Sequence, residues 1–413
     1  IRLPGGLGQC HQSLAGEFDF ALVVDHADLQ ARQRFAVALD ELGAKIGRDP
    51  LDIRIDHNVH PVRRHQFELG RKQFSWDEKR RRAADLRGRK ARILRGVGVA
   101  ASIWGDFGRK GAAVATVSVG RDGSIEVQNG VQDIGTGIAT VLAQVAAEVF
   151  SRPISTVSVK YGDSRYGASV GSGGSQTTSS VTPAVRAAAE QVKDQLAEVA
   201  AKELKCRVND LSWDSEGTAH FRKAKRSLPF ARLCQRLPGE TATATATRPG
   251  TYGHHPMKFM GGPLYQIAGV QFAEVAVDAW TGEVKVERVL AVHDCGRVMN
   301  PLTLRSQING GVILGTSYAL MEQRVMDRRS GRMLNPNLES YKIAGARDIP
   351  EIDVLLTEVH TGANNTGAIG IGEPATIPTA AAIACAVANA TGAAVRDLPL
   401  TPDRVLKSLG LVT

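Results

Sequence analysis

The chain has 413 residues, 43% of them hydrophobic, and a formal net charge of +9 at pH 7. That length and apolar share exclude a peptide or a disordered protein and leave room for two or three domains. Five cysteines with no C-x-x-C pair argue against an iron–sulfur cluster, a structural zinc or a disulfide scaffold on this chain, and no apolar run reaches membrane-spanning length. The expectation is a soluble chain, cytoplasmic or carried to the periplasm by a partner-borne signal.

In chain order, IRLPGGLGQC at residues 1–10 reads as a Gly/Pro loop and ADLQARQRFAVALDELGAKIG at 27–47 as an amphipathic helix closed by Gly47. The basic run DEKRRRAADLRGRKARILRG at 77–96 carries no interleaved aromatics, so it reads as a solvated linker rather than a nucleic-acid surface. From Gly96 the text becomes strand-like: GVGVAASIW, GAAVATVSV and GSIEVQNGV are Val- and Ile-rich runs separated by Gly and Asp-Gly turns. A helix at 136–150, a strand at 155–163 and a long helix at 181–204 follow. The same plan recurs at 269–296, a hairpin about Thr281-Gly282, and at 304–323, a helix.

In both passes an Asp-x-Gly corner, Asp133 to Gly135 and Asp294 to Gly296, joins strand to helix. The predicted fold class is therefore α+β, with two related lobes of mixed, largely antiparallel sheets and packed helices. The boundaries are an N-terminal section at 1–95, a first lobe at 96–225, a connection at 226–262 and a second lobe at 263–413.

Three glycine-rich corners stand out: QDIGTG at 132–137, GSGGSQTTSS at 171–180 and GAIGIGE at 367–373. Backbone N–H groups beside Gly and Ser or Thr at a helix start form an anion cradle suited to phosphate. None of the three matches a P-loop or a dinucleotide fingerprint, which disfavours ATP- or NAD-dependent chemistry. Glu373 ends the last corner, just before a small-residue helix over 379–390. Locally it is either a solvated acid favoured by a helix dipole or a carboxylate facing a ligand. The one close histidine pair, His254 and His255, has no nearby acid cluster and reads as surface.

These corners, in this order, resemble one family. VQDIGTGIATVLAQVAAEVF, GDSRYGASVGSGGSQTTSSVTPAVRAAA, HDCGRVMNPLTLRSQINGG and GAIGIGEPATIPTAAAIACAVANATG are similar to the C-terminal half of the molybdenum-binding large subunit of the xanthine dehydrogenase/aldehyde oxidase family, the molybdenum hydroxylases. The wording is nearest the bacterial periplasmic aldehyde oxidoreductase type, which carries molybdopterin cytosine dinucleotide. The resemblance implies an oxidoreductase subunit that hydroxylates an aldehyde or N-heterocycle with oxygen from water and passes electrons to 2Fe-2S and FAD groups on partner subunits. It implies Glu373 as the catalytic base. Lining the molybdenum–molybdopterin would be Ile134, Gly135, Thr136, Gly171, Ser172, Gly173, Gly174, Ser175, Gln176, Arg305, Ser306, Gln307, Ile308, Ile369, Gly370, Ile371 and Gly372, with no metal ligand directly from the protein. Arg2 would correspond to the family's Arg-Ala-Pro segment near the substrate pocket, with Leu3 in place of the alanine.

The family's hammerhead domain and Gly-Gly-x-Phe-Gly signature are not found here; the Asp-Phe-Gly run at 106–108 stands elsewhere, and Ile369 stands where many relatives have lysine. Residues 1–95 are then a remnant and basic linker, and the expectation is a fragment of a longer enzyme whose missing half lies upstream or on another polypeptide. The alternative is a truncated, non-catalytic relative or assembly remnant. No nucleic-acid partner and no membrane span are expected.

Overall fold

The computed structural model describes residues 26–58, 60–88, 90–105, 113–248, 266–359 and 364–412. Helices α1 (His26–Ile46), α2 (Pro50–Asp56), α3 (Pro61–Gln73) and α4 (Trp76–Gly88) come first. Asp49 starts α2 by accepting the Leu51 N–H at 2.8 Å, and the same carboxylate takes the Trp76 indole N–H at 3.1 Å, which ties α4 back to α2. The basic run expected as a solvated linker is instead α4 and the start of a strand. Four of its cations are paired: Lys79 with Glu274, Arg80 with Asp49 at 3.0 Å, Arg92 with Asp278 at 2.8 Å and Arg95 with Glu287.

Strand β1 (Ile93–Gly105) precedes the first lobe, in which β2 (Val114–Gly120), β3 (Ile125–Asn129), α5 (Ile138–Phe150), β4 (Val157–Tyr161) and α6 (Thr177–Leu204) follow in turn. A small sheet of β5 (Leu211–Trp213), β6 (Ala219–Phe221) and β7 (Arg226–Leu228) leads through α7 (Phe230–Gln235) to β8 (Thr241–Thr247). The second lobe contains β9 (Gln266–Asp278), β10 (Val284–Asp294), α8 (Pro301–Leu320), β11 (Glu351–Leu356), α9 (Thr379–Thr391) and α10 (Pro402–Ser408).

The two main sheets have the same plan. The first runs β4-β3-β2-β8 and the second β11-β10-β9-β1. In each, an antiparallel pair leads into a helix and then a parallel edge strand, β4 beside β3 and β11 beside β10. The fourth, antiparallel strand comes from after the repeat in one lobe and from before it in the other. This corrects two expected boundaries. β1 was read as part of the first lobe but pairs with β9 from Ile93 opposite Asp278 to Gly105 opposite Gln266. β8 was read as connection but completes the first sheet, its TATATAT alternation burying the alanines.

Sheet membership follows from packing. α9 lies directly on β1: a Cβ at Gly96 would come within 2.2 Å of the Ala386 carbonyl oxygen, and one at Gly98 within 2.1 Å of that of Ala382. Only a glycine surface on the strand and an alanine surface on the helix allow that approach. On the opposite face of the same sheet, Phe272 meets Phe74 and Trp76 with ring centroids 5.6 and 5.8 Å away. The second sheet is thus covered on both faces, by α8 and α9 and by α2 to α4. The first packs Val117, Val127 and Ile125 against α5 and α6, each fully buried and each contributing roughly 1.5–3 kcal/mol. No helix among the described residues is long and apolar enough to cross a membrane.

Candidate active site

The first glycine corner is organised by an acid beside it. Asp133 accepts the N–H of Gly135 at 3.0 Å, of Gly137 at 3.1 Å and of Ala139 at 3.4 Å, so its carboxylate caps the start of α5. Gly135 and Gly137 have φ of +98° and +79°, which favours glycine there. The anion cradle expected at this corner is therefore filled by the protein's own carboxylate. Ile134, 67% exposed, and the exposed Thr136 project beside it.

The second corner docks on the first through Ser172, whose hydroxyl donates to the Gln132 carbonyl at 2.6 Å. Gly171 and Gly173 face open space: a Cβ on either would meet nothing within 4 Å. The loop ends at Gln176, which precedes α6 without a side-chain cap, so the first-turn amides of that long helix take no bond from it. Trp104, at the end of β1, donates its indole N–H to the Gly174 carbonyl at 3.1 Å and packs with Ile369 and Ile377.

The third corner is stitched to the end of β10. Arg297 N–H donates to Gly367 at 2.8 Å and Ile369 N–H to Cys295 at 2.8 Å. The corner next to it repeats the first: Asp294 accepts Gly296 N–H at 2.9 Å, while its other oxygen takes the Thr357 hydroxyl and Val359 N–H at 2.7 Å each. The chain then turns over the second corner so closely that a Cβ on Gly370 would sit 1.6 Å from the Ser175 carbonyl oxygen.

Glu373 opens a short 3-10 turn at this junction and is half-buried. Its Oε1 accepts Gly174 N–H at 2.9 Å, its Oε2 accepts the Ser175 hydroxyl, and its own N–H donates to that hydroxyl oxygen at 2.8 Å. Below the turn lies a buried polar anchor. Gln271 on β9 donates to the Ala375 carbonyl at 2.6 Å, accepts from the Thr379 hydroxyl at 2.6 Å and lies 3.3 Å from His293 Nε2. Burial pushes His293 down to about 4, so the ring is neutral; burial, then the Asp294 charge, pushes the Cys295 thiol up to about 12, so it stays protonated.

Helix α8 spans the space between the outer corners. Its Thr303 lies against Gly137, where a Cβ would be 3.0 Å away, and its Gly311 against Ala375, where a Cβ would be 2.6 Å away. Eight residues of helix rise about 12 Å, and Gln307 sits midway on that face. The four residues of RSQI divide accordingly. Arg305 is exposed and bonds the Val354 carbonyl of β11 at 3.3 Å, and Ser306 is exposed. Ile308, expected to line the cofactor, is fully buried in the second lobe's core, because its helical position faces β10 and α9. Arg2 lies outside the described residues, as do the Asp-Phe-Gly run and the histidine pair.

Geometry thus joins the second and third corners at Glu373 and brings the first alongside through Ser172. Sequence reasoning missed Trp104, Thr303 and Gln271 as supports. Only Gln271 left a legible signal, as an amide within the apolar run GVQFAEVAV. Among the described residues no three His, Cys, Asp or Glu side chains are grouped as metal ligands. What the site offers is open glycine surface, an uncapped helix start and one oriented carboxylate, and that donor set fits an anionic organic cofactor brought up to an acid.

Residues 69–350 match the model of the molybdopterin cofactor-binding domain. The chain is 34% identical over 386 residues to the aldehyde oxidoreductase molybdenum-binding subunit PaoC of Escherichia coli strain K12, covering 90% of this chain and 50% of that protein. It is 29% identical over 406 residues to the xanthine dehydrogenase molybdenum-binding subunit of Escherichia coli O157:H7, covering 90% and 51%. In fold it resembles quinoline 2-oxidoreductase from Pseudomonas putida 86, with a TM-score of 0.79 at 24% identity over 93% of this chain and 52% of that one. The chain spans about half the length of the relatives it matches. With its matched domain, its paired α+β lobes and the second and third glycine corners meeting at Glu373, the chain belongs to the molybdenum hydroxylase large-subunit family.

Proposed function

We propose that this chain is the part of a molybdenum-dependent oxidoreductase subunit that carries the catalytic base, acting on an aldehyde or an N-heterocycle. The observation that carries the reading is Glu373: a lone carboxylate aimed by Gly174 N–H and the Ser175 hydroxyl at the junction of the glycine corners. When bound, the molybdenum–molybdopterin supplies the two-electron oxidation and the oxygen to be transferred. Gly171, Gly173 and the α6 N-terminus would hold its anionic part, and the Gln307 face of α8 would flank it.

Glu373 then takes a proton from the oxygen nucleophile, a role that needs hydrogen-bond reach and a fixed direction. Its two donors and the Gln271 anchor provide the direction, and the nearby Ile369 and Ile371 are both buried. The cytosine dinucleotide form is supported by the GSGGS wording. Electron transfer to 2Fe-2S and FAD partners is supported by relatives that are themselves named as subunits.

Turnover by the assembled holoenzyme tests this directly. Glu373→Gln should lower kcat by at least about a thousandfold, the scale of a lost base with its positioning, while molybdenum and pterin stay at one per subunit. Undiminished turnover in that variant overturns the reading, as does a purified complex devoid of molybdenum.

A further inference from the structure

We infer that Ser175 is a positioning residue whose hydroxyl clamps Glu373 at both ends, holding the carboxylate in one orientation; this rests on Glu373 being the base. A hydroxyl has one proton and two lone pairs. Here it uses both functions on a single residue, accepting the Glu373 backbone N–H at 2.8 Å and donating to Glu373 Oε2. The Gly174 N–H holds the other carboxylate oxygen at 2.9 Å, so the plane of the group is set at two points.

The backbone at Ser175 shows that the hydroxyl is what matters. Its φ is +55°, a region that non-glycine residues seldom occupy and that costs of order 1 kcal/mol or more. Glycines stand at 171, 173 and 174, and Gly174, with a φ of +71°, also touches Glu373, yet the next position, equally in the left-handed region, carries a serine. The residue is half-buried. Its carbonyl oxygen lies over Gly370, and its Oγ would be 3.0 Å from a Cβ on Gly372, so the last two glycines of the third corner pack against this residue. A strained serine with both hydroxyl functions spent on the base is best explained by orientation of that base.

The test compares Ser175→Ala with Ser175→Gly in the assembled holoenzyme. Glycine fits the backbone better than serine but lacks the hydroxyl, so it separates backbone from side chain and remains informative if the alanine variant fails to fold. Both should lose kcat by roughly tenfold to a hundredfold, the effect of a misaligned catalytic group, with KM within about twofold of wild type. Molybdenum and pterin content should be unchanged, and a crystal structure of Ser175→Gly should show the Glu373 carboxylate turned away from the Gly174 amide or split between rotamers. Wild-type kcat in Ser175→Gly, an unmoved carboxylate, or loss of molybdenum from that variant overturns the inference. Glu373→Gln in parallel separates the two readings: if it is inactive while Ser175→Gly is fully active, only the clamp fails; if it is active, the base itself was misassigned.

Discussion

The side-chain amide of Gln271 donates to the carbonyl oxygen of Ala375 at 2.6 Å, joining the middle of β9 to the turn that carries Glu373. Both groups are buried, and the same amide meets Thr379 and His293. A polar residue in a strand covered on both faces is thereby satisfied, and the turn that carries Glu373 rests on the sheet rather than on loop contacts alone.

Replacing that amide exposes its value. Gln271→Leu leaves His293 Nε2 without its donor and the Ala375 carbonyl with the Thr379 hydroxyl at 3.3 Å in place of the amide, which should cost about 1–3 kcal/mol. The check is the denaturant midpoint of the assembled protein, together with kcat, which should fall as the turn loosens.

Close approach makes the opposite prediction for two glycines of the site. Gly370→Ala forces a Cβ to 1.6 Å from a backbone oxygen, so the second and third corners must part. A loss of about 3 kcal/mol, the upper end of the usual cost of overpacking, is expected against backbone. Gly173→Ala meets nothing within 4 Å and should leave thermal stability unchanged, so reduced pterin content in that variant reports on cofactor space alone.

Acid sensitivity follows from His293. Burial lowers its folded pKa to about 4, below the usual value of 6.5, so the unfolded chain binds the extra proton first. Its contribution is complete above pH 6.5 and is lost as pH falls toward 4, a total on the order of 3 kcal/mol. Denaturant midpoints measured from pH 7 to pH 4 should fall less steeply in His293→Asn than in wild type.

Asp133 gives a local test of the first corner. Asp133→Ala frees the N–H groups of Gly135, Gly137 and Ala139 and should cost about 1 kcal/mol of stability, the worth of a helix cap. Thermal unfolding of the variant measures it. An unchanged midpoint would mean that solvent replaces the carboxylate without loss.

Much of this was open to reading from residues alone. Periodicity announced α1, α5 and the long α6, and the Thr281-Gly282 turn announced the β9–β10 hairpin, because these depend on contacts within a few residues. The repeated Asp-x-Gly corner disclosed two related lobes, and Glu373 was singled out by the glycines before it. Other features had no local signature. That β1 joins β9 and β8 closes the other sheet, that Asp133 occupies its own corner, that Ile308 turns inward and that Ser175 grips Glu373 all required the fold. Each depends on groups far apart in the chain coming into contact, as Ser175 does with Glu373, 198 residues on. Local rules set which conformations each segment prefers, whereas the choice of neighbour is made by burial and close packing across the whole molecule.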